Sequence, residues 1–274
     1  MNKYTNSFDG KTLKLIAIVT MLIDHVGLVI FYRALFLPAN GAGLPSASFY
    51  MNAYYVCRMI GRVAFPIFAF LLVEGFLHTH DKRKYLVNLS IFAVISQLPY
   101  YLAICGDGIS YAHLNVMVTL VLGVLMMWGI EKVREYSVSN SCKQEGNERT
   151  CTNKRRFLPS SEKIARHILC NPVLQVIPVA VTCAAAYFLD VDYGIIGIVV
   201  IAILYFFRYQ MKTAMILAAA ALIVYDLSEL PVIISFMLIY LYNGKRGKQN
   251  KYFFYVFYPA HLLVLYLIYR ILVM

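Results

Sequence analysis

Apolar runs that approach the thickness of a bilayer recur along the whole sequence, and this feature most constrains its fold. A helix needs roughly 20 apolar residues to cross a membrane. Nine runs approach that length, at 13–36, 54–77, 86–104, 114–130, 172–189, 194–207, 213–227, 232–242 and 252–273. With 61% hydrophobic and only 14% charged residues, the chain could not bury its apolar surface as a water-soluble domain. The sequence therefore predicts an all-α integral membrane protein, a polytopic bundle of about nine transmembrane helices within the lipid bilayer.

The connections between the runs alternate in charge. The N-terminal side and the even-numbered connections are rich in Lys and Arg, whereas the odd-numbered connections hold Asp and Glu with almost no basic residue. Basic loops remain in the cytoplasm. The pattern predicts a cytoplasmic N-terminus and a C-terminus on the other side. It also accounts for the net charge of +11 through topology, so no nucleic-acid partner is expected.

The chain is expected to form one transmembrane domain over residues 1–274. A single polar segment of mixed charge, 131–171, interrupts it and is predicted to be a mobile cytoplasmic loop. The six cysteines lack the paired spacing of metal ligands. No metal is therefore expected.

Ionisable residues lie inside the first and last runs. Asp24 and His25 occupy the middle of the first run, where a charged group costs roughly 3 kcal/mol or more. His25 follows Lys14 by about 16 Å of helix, and His261 lies about 14 Å into the last run, at a comparable depth. Adjacent helical residues point about 100° apart, so Asp24 is expected to pair with an arginine of another helix as well as to tune His25.

Further polar groups lie in the second run. Arg58 and Arg62 share one helix face, where they either reach inward or anchor the helix to headgroups. Glu74 lies near the cytoplasmic end of the same run and is either solvated or paired with Lys82. His261 has its own alternative, a structural bond to the carbonyl that Pro259 frees.

These residue types favour acyl or other group transfer. A histidine beside a carboxylate suits general base catalysis, and arginines suit an oxyanion or a phosphate. Walker, HExxH and GxSxG motifs are absent from the sequence. The residues alone leave two classes open, a membrane group-transfer enzyme and a proton-coupled transporter that uses Asp24, His25 and Glu74 as a relay.

Three long strings carry a resemblance to a known family. They are LKLIAIVTMLIDHVG at 13–27, RMIGRVAFPIFAFLLVEGFLHT at 58–79, and LYNGKRG at 241–247 followed by KYFFYVFYPAHLL at 251–263. They resemble the TraX family over nearly the whole chain, least so over 131–171. The resemblance implies a multi-pass acyltransferase of the bacterial cytoplasmic (inner) membrane. The namesake acetylates the N-terminus of a conjugation pilin with acetyl-CoA, and the family is similar to the acyltransferase-three group.

The resemblance also implies roles for individual residues. In the acyltransferase-three branch an arginine precedes the catalytic histidine by eleven residues; Lys14 and His25 keep that spacing with lysine in its place. Arg58 and Arg62 resemble a paired-arginine motif of that branch, with three rather than two residues between them. The phosphates of acetyl-CoA are expected near Lys14 and two basic residues of the 241–247 string, namely Lys245 and Arg246.

The expected mechanism is acetyl transfer to an extracytoplasmic acceptor, an amine or hydroxyl of a peptide, glycan or lipid-linked molecule. His25 acts as the base or acyl carrier, and Asp24 and His261 complete the catalytic group. The residues expected to contact substrate or oxyanion are Arg58, Arg62, Glu74 and Tyr258. A non-catalytic membrane assembly factor for surface appendages is a third alternative.

Overall fold

The computed structural model describes residues 7–35, 46–105, 113–144, 172–248 and 251–273. Within these ranges the regular structure is helical. The helices are α1 (Gly10–Val26), α2 (Ala47–Gly61), α3 (Ala64–His78), α4 (Lys82–Tyr100), α5 (Val116–Gln144), α6 (Pro172–Phe188), α7 (Gly194–Phe206), α8 (Met211–Tyr225), α9 (Val232–Tyr240) and α10 (Lys251–Val273). Short π-helical segments continue α1 over Gly27–Tyr32 and α4 over Tyr101–Cys105, and a 3₁₀ turn, Leu227–Glu229, joins α8 to α9.

Five apolar helical segments in the described ranges are long enough to cross a membrane. They are Gly10–Tyr32, Ala47–His78, Lys82–Ile104, Val116–Tyr136 and Phe253–Leu272. Four shorter apolar helices, Leu174–Phe188, Gly194–Phe206, Met211–Tyr225 and Leu227–Tyr240, have 10–17 residues. Many large apolar side chains on the helices face outward, as lipid contact requires. The prediction of an all-helical membrane protein is confirmed, and a count of nine transmembrane helices stays a prediction.

Two predicted boundaries differ from the structure. The second run, 54–77, is not one helix, because it is divided at Arg62 and Val63 into α2 and α3. Pro66 has no N–H to donate to the carbonyl of Arg62, which removes the hydrogen bond that would continue the helix. Helix α5 continues past position 130 to Gln144, so the first part of the predicted loop 131–171 is helical. The rest of that loop, 145–171, lies outside the described residues.

Helices α1 and α2 pack closely through two glycines. A Cβ atom at Gly61 would overlap the side chain of Asp24, and one at Gly27 would lie 2.6 Å from Cβ of Cys57. Only glycine permits this approach. The contact places Asp24 directly against the end of α2, next to the arginines of that helix.

The turn after α9 is fastened to the start of α1. The Asp9 carboxylate caps α1 by accepting from the Thr12 backbone N–H at 2.8 Å. The Gly10 N–H donates to the Lys245 carbonyl at 2.8 Å. These bonds bring the turn after α9, which contains Lys245 and Arg246, beside the first turns of α1.

Candidate functional site

A pair of buried histidines lies between α1 and α10. Nδ1 of His25 is 2.7 Å from Nε2 of His261. The two rings stack with their centroids 4.9 Å apart. Only 7% of His25 and 6% of His261 is exposed. The structure therefore brings together the two intramembrane histidines that the sequence placed at a common depth.

The hydrogen bonds of the pair define its tautomers. Nδ1 of His261 lies 2.8 Å from the carbonyl oxygen of Phe257, which can only accept, so this nitrogen carries the hydrogen. With both imidazoles neutral, Nε2 of His261 is then the acceptor, and Nδ1 of His25 donates to it. Nε2 of His25 is left with its lone pair. This is the atom that a general base or a nucleophile needs.

Aromatic rings hold both imidazoles in place. The Phe257 ring stacks on His261 at 4.9 Å between centroids. Tyr258 presents its ring edge-on to His25 at 6.2 Å and to His261 at 5.7 Å. Because Tyr258 is itself buried, it fixes the pair from the side. The structure thus places Tyr258 beside the predicted catalytic histidines.

Asp24 pairs with Arg58 of α2. Nη1 of Arg58 donates to Oδ2 of Asp24 at 2.6 Å, and both side chains are largely buried. The pairing with an arginine of another helix agrees with the sequence prediction. His25 itself is bonded to His261, and the tuning of His25 by Asp24 stays a prediction. In the structure Asp24 lies in the contact between α1 and α2.

A second ion pair lies at the break between α2 and α3. Nη1 of Arg62 is 2.6 Å from Oε1 of Glu229, and Nη2 donates to Oγ of Ser228 at 3.3 Å. Glu229 is 4% exposed. Arg62 is therefore fastened to the turn between α8 and α9, and it does not join the histidine pair.

Asp192, in the turn before α7, is another carboxylate near these arginines. Its N–H donates to the Leu114 carbonyl at 2.8 Å, and its own carbonyl accepts from Thr119. Burial raises the pKa of Asp192 above its ordinary value, while the positive charge of Arg58 opposes that rise. The anchored backbone holds this carboxylate beside the arginine cluster.

A cavity of about 630 Å³ opens at the end of the bundle where α1 begins. Lys14 and Arg246 line it together with Glu74, and apolar side chains such as Phe68 and Met117 line it further along. Nζ of Lys14 lies 5.1 Å from the centroid of the Phe254 ring, also in the wall. The cavity therefore combines cationic side chains with an apolar lining.

The cavity also extends along α3. Its wall includes residues from His78 to Phe68 of α3, a length of about 15 Å at 1.5 Å per residue. His25 lies about 16 Å beyond Lys14 along α1, and α1 packs beside α3. Neither His25 nor His261 is among the wall residues, so a route from the cavity to the histidine pair stays a prediction.

The remaining predicted residues have separate positions. Lys245 is exposed and is not in the cavity wall. Oε2 of Glu74 lies 3.9 Å from Nδ1 of His78. Lys82, the predicted alternative partner of Glu74, pairs with Glu131. Among the described residues, no group of three His, Cys, Asp or Glu side chains is placed to hold a metal ion.

Two carboxylates of the site were not identified as site residues from the sequence. Glu229 and Asp192 lie in acidic connections, where their charge served only as a topology signal. Their proximity to apolar runs could have indicated a buried role, because a carboxylate at the edge of a span seeks a cationic partner.

Comparisons with known proteins agree with the resemblance in the strings. The family model described as "TraX protein" matches residues 9–269. The chain is also similar to a "Probable fimbrial assembly protein FimC, serogroup H1" from Dichelobacter nodosus, with 27% identity over 284 residues and 94% of each chain covered. No solved structure matches.

Proposed function

The chain belongs to the TraX family, and we propose that it is a membrane-embedded acyltransferase that uses acetyl-CoA. The acetyl group passes to an amine or hydroxyl of an acceptor at the outer face of the bacterial cytoplasmic membrane. The observation that carries the proposal is the 2.7 Å bond between His25 and His261, which leaves Nε2 of His25 with its lone pair. A base in that state suits the activation of an N–H or O–H group.

The proposed topology has nine spans with the N-terminus in the cytoplasm. The alternating charge of the connections supports this arrangement. It places the cavity mouth, with Lys14 and Arg246, at the cytoplasmic face where coenzyme A is available. Reporter fusions at Gly244 and Met274 should indicate opposite sides of the membrane, and the same side for both would contradict the last span.

The donor is proposed to enter the cavity with its phosphates at Lys14 and Arg246. Guanidinium and ammonium groups bind phosphate oxygens through charge-assisted hydrogen bonds. The apolar side chains farther along the wall suit the pantetheine arm and the acetyl group. This orientation carries the thioester from the charged mouth toward the depth of His25.

The proposed reaction balances without a further reactant. Nε2 of His25 removes a proton as the acceptor nitrogen or oxygen forms a bond to the thioester carbonyl carbon. The tetrahedral intermediate then collapses, the C–S bond breaks, and the sulfur takes the proton from His25 to give coenzyme A as the free thiol. An acyl-histidine intermediate would use the same lone pair as the nucleophile. During the proton transfer, His261 holds His25 through Nδ1.

The acceptor is proposed to be a component of a surface appendage, such as a pilin-like peptide. The support is the similarity to a protein named as a fimbrial assembly protein. The same name also suits a non-catalytic assembly factor, which is the second candidate. Acyl transfer is favoured over it because assembly alone requires no pair of hydrogen-bonded histidines within a membrane span.

Thiol release by the purified protein tests the proposal. Full-length protein in detergent is incubated with acetyl-CoA and a peptide amine or glycan acceptor, and free coenzyme A thiol and labelled acceptor are measured together. We expect both products in equal amounts. Proton movement in proteoliposomes without thiol release would favour the transporter, and neither activity would favour the assembly factor.

A further inference from the structure

A second group of cationic and aromatic side chains lies at the end of the bundle where α1 begins, outside the cavity wall. The guanidinium carbons of Arg134 and Arg208 lie 5.4 Å and 4.8 Å from the centroid of the same ring, that of Tyr205. Arg134 belongs to α5, and Arg208 follows the end of α7. Neither arginine is in the cavity wall. Two like charges thus share one aromatic ring.

The hydrogen bonds of both arginines go to neutral oxygens. Arg134 donates through Nε to the Gln175 side-chain oxygen at 2.8 Å and through Nη1 to the Tyr205 hydroxyl at 3.4 Å. Arg208 donates to the Tyr205 carbonyl at 3.1 Å and to the Tyr209 hydroxyl at 3.4 Å. None of these partners carries a negative charge.

No carboxylate of the described ranges forms an ion pair with either arginine. Glu131, one turn before Arg134 on α5, is paired with Lys82 instead. Arg134 is only 8% exposed, and a buried guanidinium is costly when the carboxylate near it, here Glu131, is bonded to another cation. The arrangement therefore calls for an anion between the ends of α5, α6 and α7.

The surroundings indicate where that anion comes from. Phe206, Phe207 and Tyr209 are exposed beside the arginines, as are Val176 and Ile177 next to Gln175 on α6. Exposed aromatic side chains beside arginines are typical of the membrane–water interface. A soluble anion would have to reach the arginines across this apolar surface, whereas a lipid headgroup already lies at that level.

We propose that Arg134 and Arg208 form a binding site for the phosphate of an anionic phospholipid in the cytoplasmic leaflet. The guanidinium groups bind the phosphodiester oxygens, and the exposed aromatic and aliphatic side chains contact the acyl chains. The site is separate from the donor cavity, and it does not depend on the proposed acetyl transfer.

Lipid retention by the purified full-length protein tests the site. The protein is incubated in detergent with phosphatidylglycerol or with zwitterionic phosphatidylcholine, and bound lipid and the thermal unfolding midpoint are measured by native mass spectrometry and light scattering. We expect preferential retention of phosphatidylglycerol and a higher midpoint with it. Equal retention of the two lipids would overturn the proposal.

Two substitutions on the same end of the bundle make the test specific. Arg208→Gln should bind phosphatidylglycerol about tenfold more weakly, since it loses a charge-assisted bond to phosphate. Arg208 is half-buried, so this variant is less prone to misfold than a change at the buried Arg134. Lys132→Gln is the control, because it removes an exposed charge of α5 that pairs with Glu135 at 2.9 Å.

The remaining outcomes decide the identity of the anion. Equal binding of phosphatidylglycerol by Arg208→Gln and Lys132→Gln would overturn the site. Inorganic phosphate that raises the thermal midpoint as much as phosphatidylglycerol, at equal ionic strength, would assign the arginines to a soluble phosphate and overturn the lipid. Phosphate without effect, together with loss of lipid in Arg208→Gln, would support it.

Discussion

Nδ1 of His25 and Nε2 of His261 lie 2.7 Å apart, although 236 positions separate them in the sequence. The bond joins the first and the last helices of the described chain, α1 and α10. Because the carbonyl of Phe257 fixes the hydrogen of His261, the direction of the bond follows from neutral imidazoles. In the proposed mechanism His261 thus has the orienting position, and His25 has the reacting one.

Substitutions at His261 should separate orientation from simple packing. The side-chain oxygen of His261→Gln can accept the hydrogen of His25, whereas His261→Leu fills the space and accepts nothing. We expect acetyl transfer to fall in both variants and to remain about tenfold higher in the glutamine variant, as one net hydrogen bond predicts. Thermal unfolding of both variants serves as the folding control. Equal rates in the two variants would mean that His261 only packs.

Loss of one partner of the Asp24–Arg58 pair should lower the stability of the protein more than its rate of acetyl transfer. Asp24→Ala leaves the largely buried Arg58 without its carboxylate, which costs about 3–5 kcal/mol when a buried pair is broken. The double variant Asp24→Ala/Arg58→Ala should recover part of that loss, because the unpaired guanidinium is removed, and only part, because Asp192 also loses the charge of Arg58. Thermal unfolding of the two single variants and the double variant measures the coupling. Strictly additive losses would contradict an energetic link between the two residues.

The contact between α1 and α2 should not tolerate a side chain at position 61. A methyl group at Gly61 would overlap the Asp24 side chain, so Gly61→Ala should destabilise the protein by about 1–3 kcal/mol. Alanine otherwise favours a helix over glycine by about 1 kcal/mol. Gly75→Ala is the comparison, since its Cβ would meet the end of the Tyr85 side chain at longer distances, 3.1 Å from the hydroxyl oxygen and 3.5 Å from Cζ. A thermal midpoint for Gly61→Ala equal to that of Gly75→Ala would show that α1 and α2 can move apart to accommodate the added methyl group.

The proposed donor site depends on particular cations of the cavity wall. Lys14→Ala and Arg246→Ala should raise the KM for acetyl-CoA more than they lower kcat, because both residues line the cavity. Lys245→Ala should have a smaller effect, since Lys245 is not in the cavity wall. Lys248→Ala, in the same part of the chain, is the control for general loss of charge. If the four variants shifted KM equally, the donor would be held elsewhere.

The sequence predicted much of this arrangement and missed specific contacts for physical reasons. Helix length and hydropathy identify long apolar helices, and the depths of His25 and His261 follow from the rise per residue. Which residues meet in the plane of the membrane depends on how helices pack, and apolar periodicity does not specify it. The partnership of Arg62 with Glu229 and that of Arg58 with Asp24 are contacts of this kind. Only the second was expected, and only as a pairing with some arginine.

The break between α2 and α3 is another feature that the sequence prediction missed. The run 54–77 is continuous in hydropathy, so composition alone predicts one helix. Pro66 is the residue that could have indicated the break. A proline has no backbone N–H, so the helical hydrogen bond to the carbonyl four residues earlier cannot form. The consequence is that Arg62 lies at a helix end and turns toward Glu229.

Acetyl transfer by a variant without the His25 imidazole distinguishes a reacting histidine from a structural one. The rate of thiol release from acetyl-CoA, with acceptor present, is compared for the wild-type protein, His25→Ala and His25→Gln at matched amounts of folded protein. We expect a loss of about 100-fold or more in both variants, because neither side chain can take up a proton. Near-normal thiol release by His25→Ala would contradict this expectation and would move the reacting role away from this histidine.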